Sequence, residues 1–334
     1  MSPKLIRAPV ACGLLILAAA STGCDRLAPV APMLERGYSA GVPLAASHSP
    51  EGAPFPLTIG NRWRSVSDDR FRLEPLGGGP PADEFTIHSD ITRILIGTEI
   101  LFGRSYVVEE ETAVQASVPD THGPWTTLNW IRFRQDGTGL YEADVATSRP
   151  PALGGSSTGD LSPLTTGTLS GAQRPLPSAL ASRLPDLQRG AYEAAWSRLQ
   201  ARATAVRSLV RGSLESRLDA ARPGGLLEDE ITRLRYPLHP GASWAIRVAP
   251  SYSSTVEAVE SLDLPAGRFQ SYRIRVDSGV FGPEESVRVW FGRSGLLAMR
   301  MHLVSTVTDL NGNVIGRLVD DSDEALHDLT LLRP

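Results

Sequence analysis

Apolar and polar residues alternate along much of the 334-residue chain. Phe85, Ile87, Ile91 and Leu95 hold one parity, while Thr86, His88, Asp90 and Thr92 hold the other. That is the pattern of a strand with one buried face. The same period runs through Tyr272, Ile274 and Val276 against Arg273, Arg275 and Asp277, and through Val287, Val289 and Phe291 against Arg288 and Trp290. Leu297, Met299, Met301 and Leu303 continue it. Asp136-Gly137 and Asn311-Gly312 fall between such runs, and these residue pairs favour tight hairpins. The pattern predicts a mainly β, antiparallel fold.

One stretch follows a different period. After Pro185, apolar residues recur at 187, 191, 195, 199, 203, 206, 210, 214 and 218. This predicts an amphipathic helix starting at Asp186, with a kink or break at Gly212. Its polar side carries Arg189, Arg198, Arg202, Arg207, Arg211 and Arg217. A membrane-surface helix has a similar outline. Here Asp186, Glu193, Glu215 and Asp219 dilute the positive charge, which favours packing on a sheet.

A phrase occurs twice. Phe55-Pro56-Leu57-Thr58-Ile59-Gly60-Asn61-Arg62-Trp63 returns as Tyr236-Pro237-Leu238-His239-Pro240-Gly241-Ala242-Ser243-Trp244. The proline holds the residue before it extended, and the glycine permits a turn with positive φ. The Trp is then the first large residue of a strand, and Trp63 and Trp244 are expected to be core anchors. The chain accordingly reads as two copies of a curved antiparallel sheet unit with an inserted helix: 54–148, then a loop and helical insert over 149–234, then 235–334.

The N-terminus supplies an address. Lys4 and Arg7 precede an apolar run from Ala8 to Ala20, and Ser21-Thr22-Gly23-Cys24 follows. Residues 1–24 read as a secretory signal. Its end resembles the lipobox of bacterial lipoproteins, with Ser21 where that family usually has Leu, which implies lipidation of Cys24. Cys12 lies inside the apolar run, so the processed chain has a single thiol and no internal disulfide. Residues 25–53, with prolines among Ala, Ser and Gly, read as a disordered tether that spans roughly 90 Å when extended. The expected location is the bacterial cell envelope, with the chain held to a membrane by lipid.

Composition narrows the chemistry. Loss of Lys4 and Arg7 lowers the cation total from 33 to 31 against 37 acids, a net charge near −6. This argues against a nucleic-acid partner. Lys4 is the only lysine, so the processed chain has no amine for a Schiff base or a phosphate loop and no free thiol for catalysis. No cofactor or metal motif is present. The histidines at 48, 88, 122, 239, 302 and 327 stand apart, and Gly155-Ser156-Ser157-Thr158-Gly159 matches the G-x-S-x-G string within a loop-like stretch. Asp309-Leu310-Asn311-Gly312-Asn313 reads as a hairpin turn rather than a calcium loop. The acidic runs Glu109-Glu110-Glu111 and Asp320-Asp321-Ser322-Asp323-Glu324 read as solvated faces.

The second phrase, Pro265-Ala266-Gly267-Arg268-Phe269 and Trp290-Phe291-Gly292-Arg293-Ser294-Gly295-Leu296-Leu297 together resemble a group of uncharacterised bacterial secreted lipoproteins. That group carries Val-Pro-Ala-Gly-x-Phe and Trp-Tyr-x-x-Gly-x-Gly-Leu-Val. Leu264 stands here for the valine, and Ser294 for the usual first glycine. The resemblance implies a strongly curved sheet similar to the half-barrels of periplasmic lipoprotein carriers, and it brings no catalytic residue. The expected function is a non-enzymatic, lipid-anchored binding or interaction module for an envelope protein or an apolar ligand. The alternative is a hydrolase whose Ser, His and Asp come from distant segments.

Overall fold

The computed structural model describes residues 55–76, 82–118, 124–143, 151, 186–211, 230–247 and 251–332. Five strands come first: β1 (Arg62–Pro75), β2 (Ala82–Leu101), β3 (Arg104–Val118), β4 (Trp125–Asp136) and β5 (Gly139–Ala143). Helix α1 (Asp186–Arg211) and β6 (Glu230–Arg235) follow. Then come β7 (Ser243–Arg247), β8 (Tyr252–Leu264), β9 (Gly267–Ser278), β10 (Ser286–Gly292), β11 (Gly295–Thr308) and β12 (Val314–Thr330). All twelve strands belong to one antiparallel sheet, ordered β6-β5-β4-β3-β2-β1-β12-β11-β10-β9-β8-β7. It is two successive six-strand meanders joined by the β1–β12 ladder. The outer strands β6 and β7 lie near one another without a ladder, so the sheet is nearly closed.

A sheet this wide must coil strongly to bring its edges together. Register breaks at Arg64/Ser65, Leu95/Gly97, Leu140/Tyr141 and Val256/Ala258 supply the added twist. The two phrases enter β1 and β7, and their glycines take the expected positive φ, +91° at Gly60 and +86° at Gly241. Both tryptophans are buried, Trp63 at 3% exposure and Trp244 at 5%. Phe55 lies 6.1 Å from Trp63 and 5.9 Å from Phe133 between ring centroids, within the apolar core.

The alternation read from the sequence matches the observed faces. Phe85, Ile87, Ile91 and Leu95 point inward, as do Tyr272, Ile274 and Val276. α1 covers this inner face and contacts β11 and β12. Its stripe of Tyr192, Ala195, Trp196, Leu199, Ala203 and Val206 joins the main core. Trp196 stands edge-on to Phe71 at 4.9 Å. Gly212, where a kink or break is expected, lies outside the described residues. Positions 214 and 218 of the expected stripe lie outside the described residues.

The β1–β12 ladder joins the two meanders into one sheet, so the inner face of each is continuous with that of the other. The insert assigned to 149–234 contains most of a strand, because Glu230–Arg235 pairs with β5 as β6. The arginines on the polar side of α1 do not all face water. Arg198 and Arg202 donate to the carbonyls of Thr306 and Val304 at 3.2 and 3.0 Å, and Arg207 reaches carboxylates on the sheet. These guanidiniums tie the helix to the strands beneath it.

Candidate functional site

Along β12, Leu318, Asp320, Ser322, Glu324 and Leu326 share one parity, and all five are buried. The strand period sends them inward together, so the acidic run 320–324 is not a solvated face. Asp321 and Asp323 take the other parity and pair outside with His302 and Arg300. The run at 109–111 divides in the same way. Glu109 and Glu111 are buried, while Glu110 accepts from the Trp130 indole on the opposite parity.

These inward groups meet across four strands. Arg93 on β2 donates from Nε to Glu111 on β3 at 2.9 Å and from Nη2 to Glu324 on β12 at 2.8 Å. Its Nη1 reaches the Ser65 hydroxyl on the intervening β1 at 3.3 Å. Arg207 of α1 lies 3.1 Å from both Asp69 and Asp320 and donates to Ser322 Oγ. Ser322 in turn donates to Asp69 Oδ1 at 2.7 Å. Glu142 on β5 pairs with Arg233 on β6. Arginine suits this setting, because its planar fork satisfies two acceptors at once without water.

Among the described residues, Asp69, Glu109, Glu111, Glu142, Asp320 and Glu324 share this network with Arg93, Arg207 and Arg233. Desolvation favours the neutral form of an enclosed carboxyl wherever its partners do not offset it. Burial pushes Glu109 up to about 8, with Arg93 opposing the shift and Glu111 and Glu142 adding to it. Burial likewise raises Asp320; Arg207 opposes this, and Asp69 adds repulsion. Burial by itself would lower Arg93, but Glu324, Glu111 and Glu109 more than offset it, and the guanidinium stays charged.

Beside Glu109, Arg93 and Arg233 lies a cavity of about 30 Å³. Phe55, Trp63, Phe133 and Phe291 also line it. This is room for a water or two. A second space of about 10 Å³ lies against Tyr236 and Tyr272. Sites for small organic ligands run to several hundred Å³. Among the described residues, the inner face is occupied by α1 and by the ionic network.

The other candidates are scattered. Cys24, His48, His122 and the 155–159 string lie outside the described residues. His239 is exposed on the second phrase, and His327 is exposed on β12. Asp309 Oδ1 accepts from the backbone N–H groups of Asn311 and Asn313 at 2.8 Å each, which makes that segment a hairpin turn. His88 pairs with Asp68 at 2.8 Å on the outer face. His302 Nδ1 lies 2.6 Å from Asp321, and Ser286 stands opposite His302 in the β10–β11 ladder. This outer row holds the three residue types of a hydrolase. Arg72 also holds Asp321, which ties that carboxylate to a second partner. Among the described residues, no group of three or more His, Cys, Asp and Glu side chains is arranged to hold a metal ion.

No family model matches the chain, and no curated protein matches it. Two solved structures align along most of its length. One is from Parabacteroides distasonis and bears a provisional lipoprotein assignment. It is 12% identical with a TM-score of 0.27, covering 83% of this chain and 97% of the other. The second, provisionally an exported protein with a YmcC-like fold, is from Bacteroides fragilis. It is also 12% identical with a TM-score of 0.27, covering 83% and 98%.

Proposed function

We propose that the chain is an exported, lipid-anchored envelope protein that performs no chemistry and acts as an interaction module for a partner protein. The observation that carries this reading is the occupied inner face. A lipid carrier needs an apolar groove open to its cargo, and here, among the described residues, α1 and the ion network occupy the inner face beside spaces of about 30 and 10 Å³. The outer surface and the turns at the two ends of the sheet remain for recognition. Lipidation at Cys24 and the 25–53 tether supply the attachment in this reading. The test is native mass spectrometry of the protein after gentle detergent extraction. A mass equal to the chain with its anchor is expected. Co-purifying lipid at near-stoichiometric occupancy would overturn the reading in favour of a carrier.

One observation favours a second reading, the Ser286–His302–Asp321 row on the outer face. It predicts esterase turnover that Ser286→Ala abolishes. The interaction-module reading predicts no turnover above the uncatalysed rate on activated esters, and the same rate for the variant.

A further inference from the structure

The β2–β3 hairpin has an unusual tip. Phe102 and Gly103 form its two-residue turn with φ of +51° and +72°. Positive φ at both central positions is the mirror-image turn that Asn-Gly or Gly-Gly makes easily and a bulky side chain does not. Phe102 nevertheless occupies the first position, and the residue is 54% exposed. Ile100 beside it is 77% exposed. The tip thus combines a disfavoured backbone with apolar side chains left in water, and neither feature stabilises the isolated domain.

The stem beneath it is well braced. The β1–β2 ladder ends at the Arg62–Ile94 pair, while β2 continues to Leu101, a projection of roughly 20 Å at strand spacing. On the other side, pairing of β3 with β4 begins only at Val107. Arg132 donates to Glu99 at 2.9 Å, and both are buried. Tyr106 donates to Glu230 at 2.7 Å, and Glu230 also holds Arg104 and Arg134. A stem fixed in this way presents the tip rigidly.

The tip shares its end of the sheet with the point where the chain enters from the tether. β1 runs antiparallel to β2, so the start of β1, reached from Phe55 through Gly60, lies at the end towards which β2 projects. Ile100 and Phe102 expose on the order of 250 Å² together. That is far short of the roughly 800 Å² per partner in a specific protein interface. A lipid surface, by contrast, accepts a point insertion, because each apolar side chain that leaves water for the acyl boundary gains without a complementary pocket.

We propose that Ile100 and Phe102 insert into the membrane to which the tether is attached and so fix the orientation of the domain on it. This rests on the lipid-anchored reading above. The anchor alone attaches the domain at a single point; the tip adds a second attachment whose local concentration the first one raises. Exposed charges near this end are mixed, with Arg268 beside Asp263 and Arg134 beside Asp136. The attraction is therefore apolar and insensitive to salt.

The test uses the chain from Cys24 onward, made without its export signal and so without lipid, floated with vesicles of three parts phosphatidylethanolamine to one part phosphatidylglycerol. Wild type is expected to float with the vesicles weakly but measurably, equally at low and high salt. Phe102→Asn should reduce partitioning by about tenfold, the scale for losing one large apolar side chain, while its thermal midpoint holds or rises because Asn-Gly suits the turn. Ile100→Ser should reduce partitioning without touching the turn. Wild type that fails to float, variants that float equally well, or a lowered midpoint for Phe102→Asn would each overturn the proposal. Because this chain carries no lipid, failure of the Cys24 anchor reading leaves the measurement unaffected.

Discussion

Glu109→Gln is expected to stabilise the protein at neutral and alkaline pH and to leave it nearly unchanged near pH 4.5. The carboxyl is enclosed on β3, where Arg93 faces it from β2, Glu111 from its own strand, Glu142 from β5 and Arg233 from β6. Burial pushes its pKa from 4.5 to about 8. Between those values the folded state keeps a proton that the unfolded chain has released. Stability is therefore fully present below pH 4.5 and declines as pH rises to 8, by about 1.36 kcal/mol per pH unit. From pH 4.5 to 7 the decline amounts to roughly 3 kcal/mol. Glutamine keeps the shape and stays neutral, so it escapes this loss. Little attraction to Arg93 is forfeited at pH 7, because the carboxyl is mostly protonated there and Arg93 retains Glu111 and Glu324. The expected gain at pH 7 is on the order of 1–3 kcal/mol. Urea unfolding of both proteins from pH 4.5 to 8.5, with equal m-values, measures it. A gap between the curves that does not widen with pH would refute the account, as would a variant less stable than wild type at pH 8.

Other outcomes follow from the same geometry. Arg93→Met removes the guanidinium that Glu111 and Glu324 share and should destabilise by about 3–5 kcal/mol at pH 7; the deficit should narrow as acid protonates the carboxylates, and a deficit that grows on acidification would contradict this. Trp63→Ala and Trp244→Ala should each cost roughly 3–5 kcal/mol in urea unfolding, and unchanged midpoints for both would show the rings to be dispensable to the core. Cys24→Ser should accumulate a slower-migrating precursor and abolish detergent-phase partitioning of the processed form, and processing like wild type would end the lipoprotein reading.

The legible part of the fold was the part set by local period. A strand alternates every two residues whatever it pairs with, so Phe85 to Leu95 and Tyr272 to Val276 declared their buried faces in advance. A helix declares itself through residues three and four apart, and Asp186–Arg211 did so. The turn glycines of the two phrases were legible for a similar reason, since the demand for positive φ arises within a few residues. The short β6 escaped because its six residues abut the second phrase and were absorbed into the helical insert.

The ionic network was available in the sequence only as parity. Asp320, Ser322 and Glu324 share the parity of Leu318 and Leu326, a signal that outweighs the habit of placing acidic runs in water. Parity tells which residues share a face and not what that face meets. Arg93 lies 231 residues from Glu324, and Arg207 lies 113 from Asp320; only the β1–β12 ladder and the seat of α1 bring them together. The same closure decided that the two meanders share one sheet and that, among the described residues, α1 and the network occupy its inner face. Local backbone preference thus determined the elements from the sequence alone. Which charges are buried, which carboxyls keep a proton, and how much space remains inside were decided by long-range pairing, because desolvation depends on everything that surrounds a group and not on its neighbours in the chain.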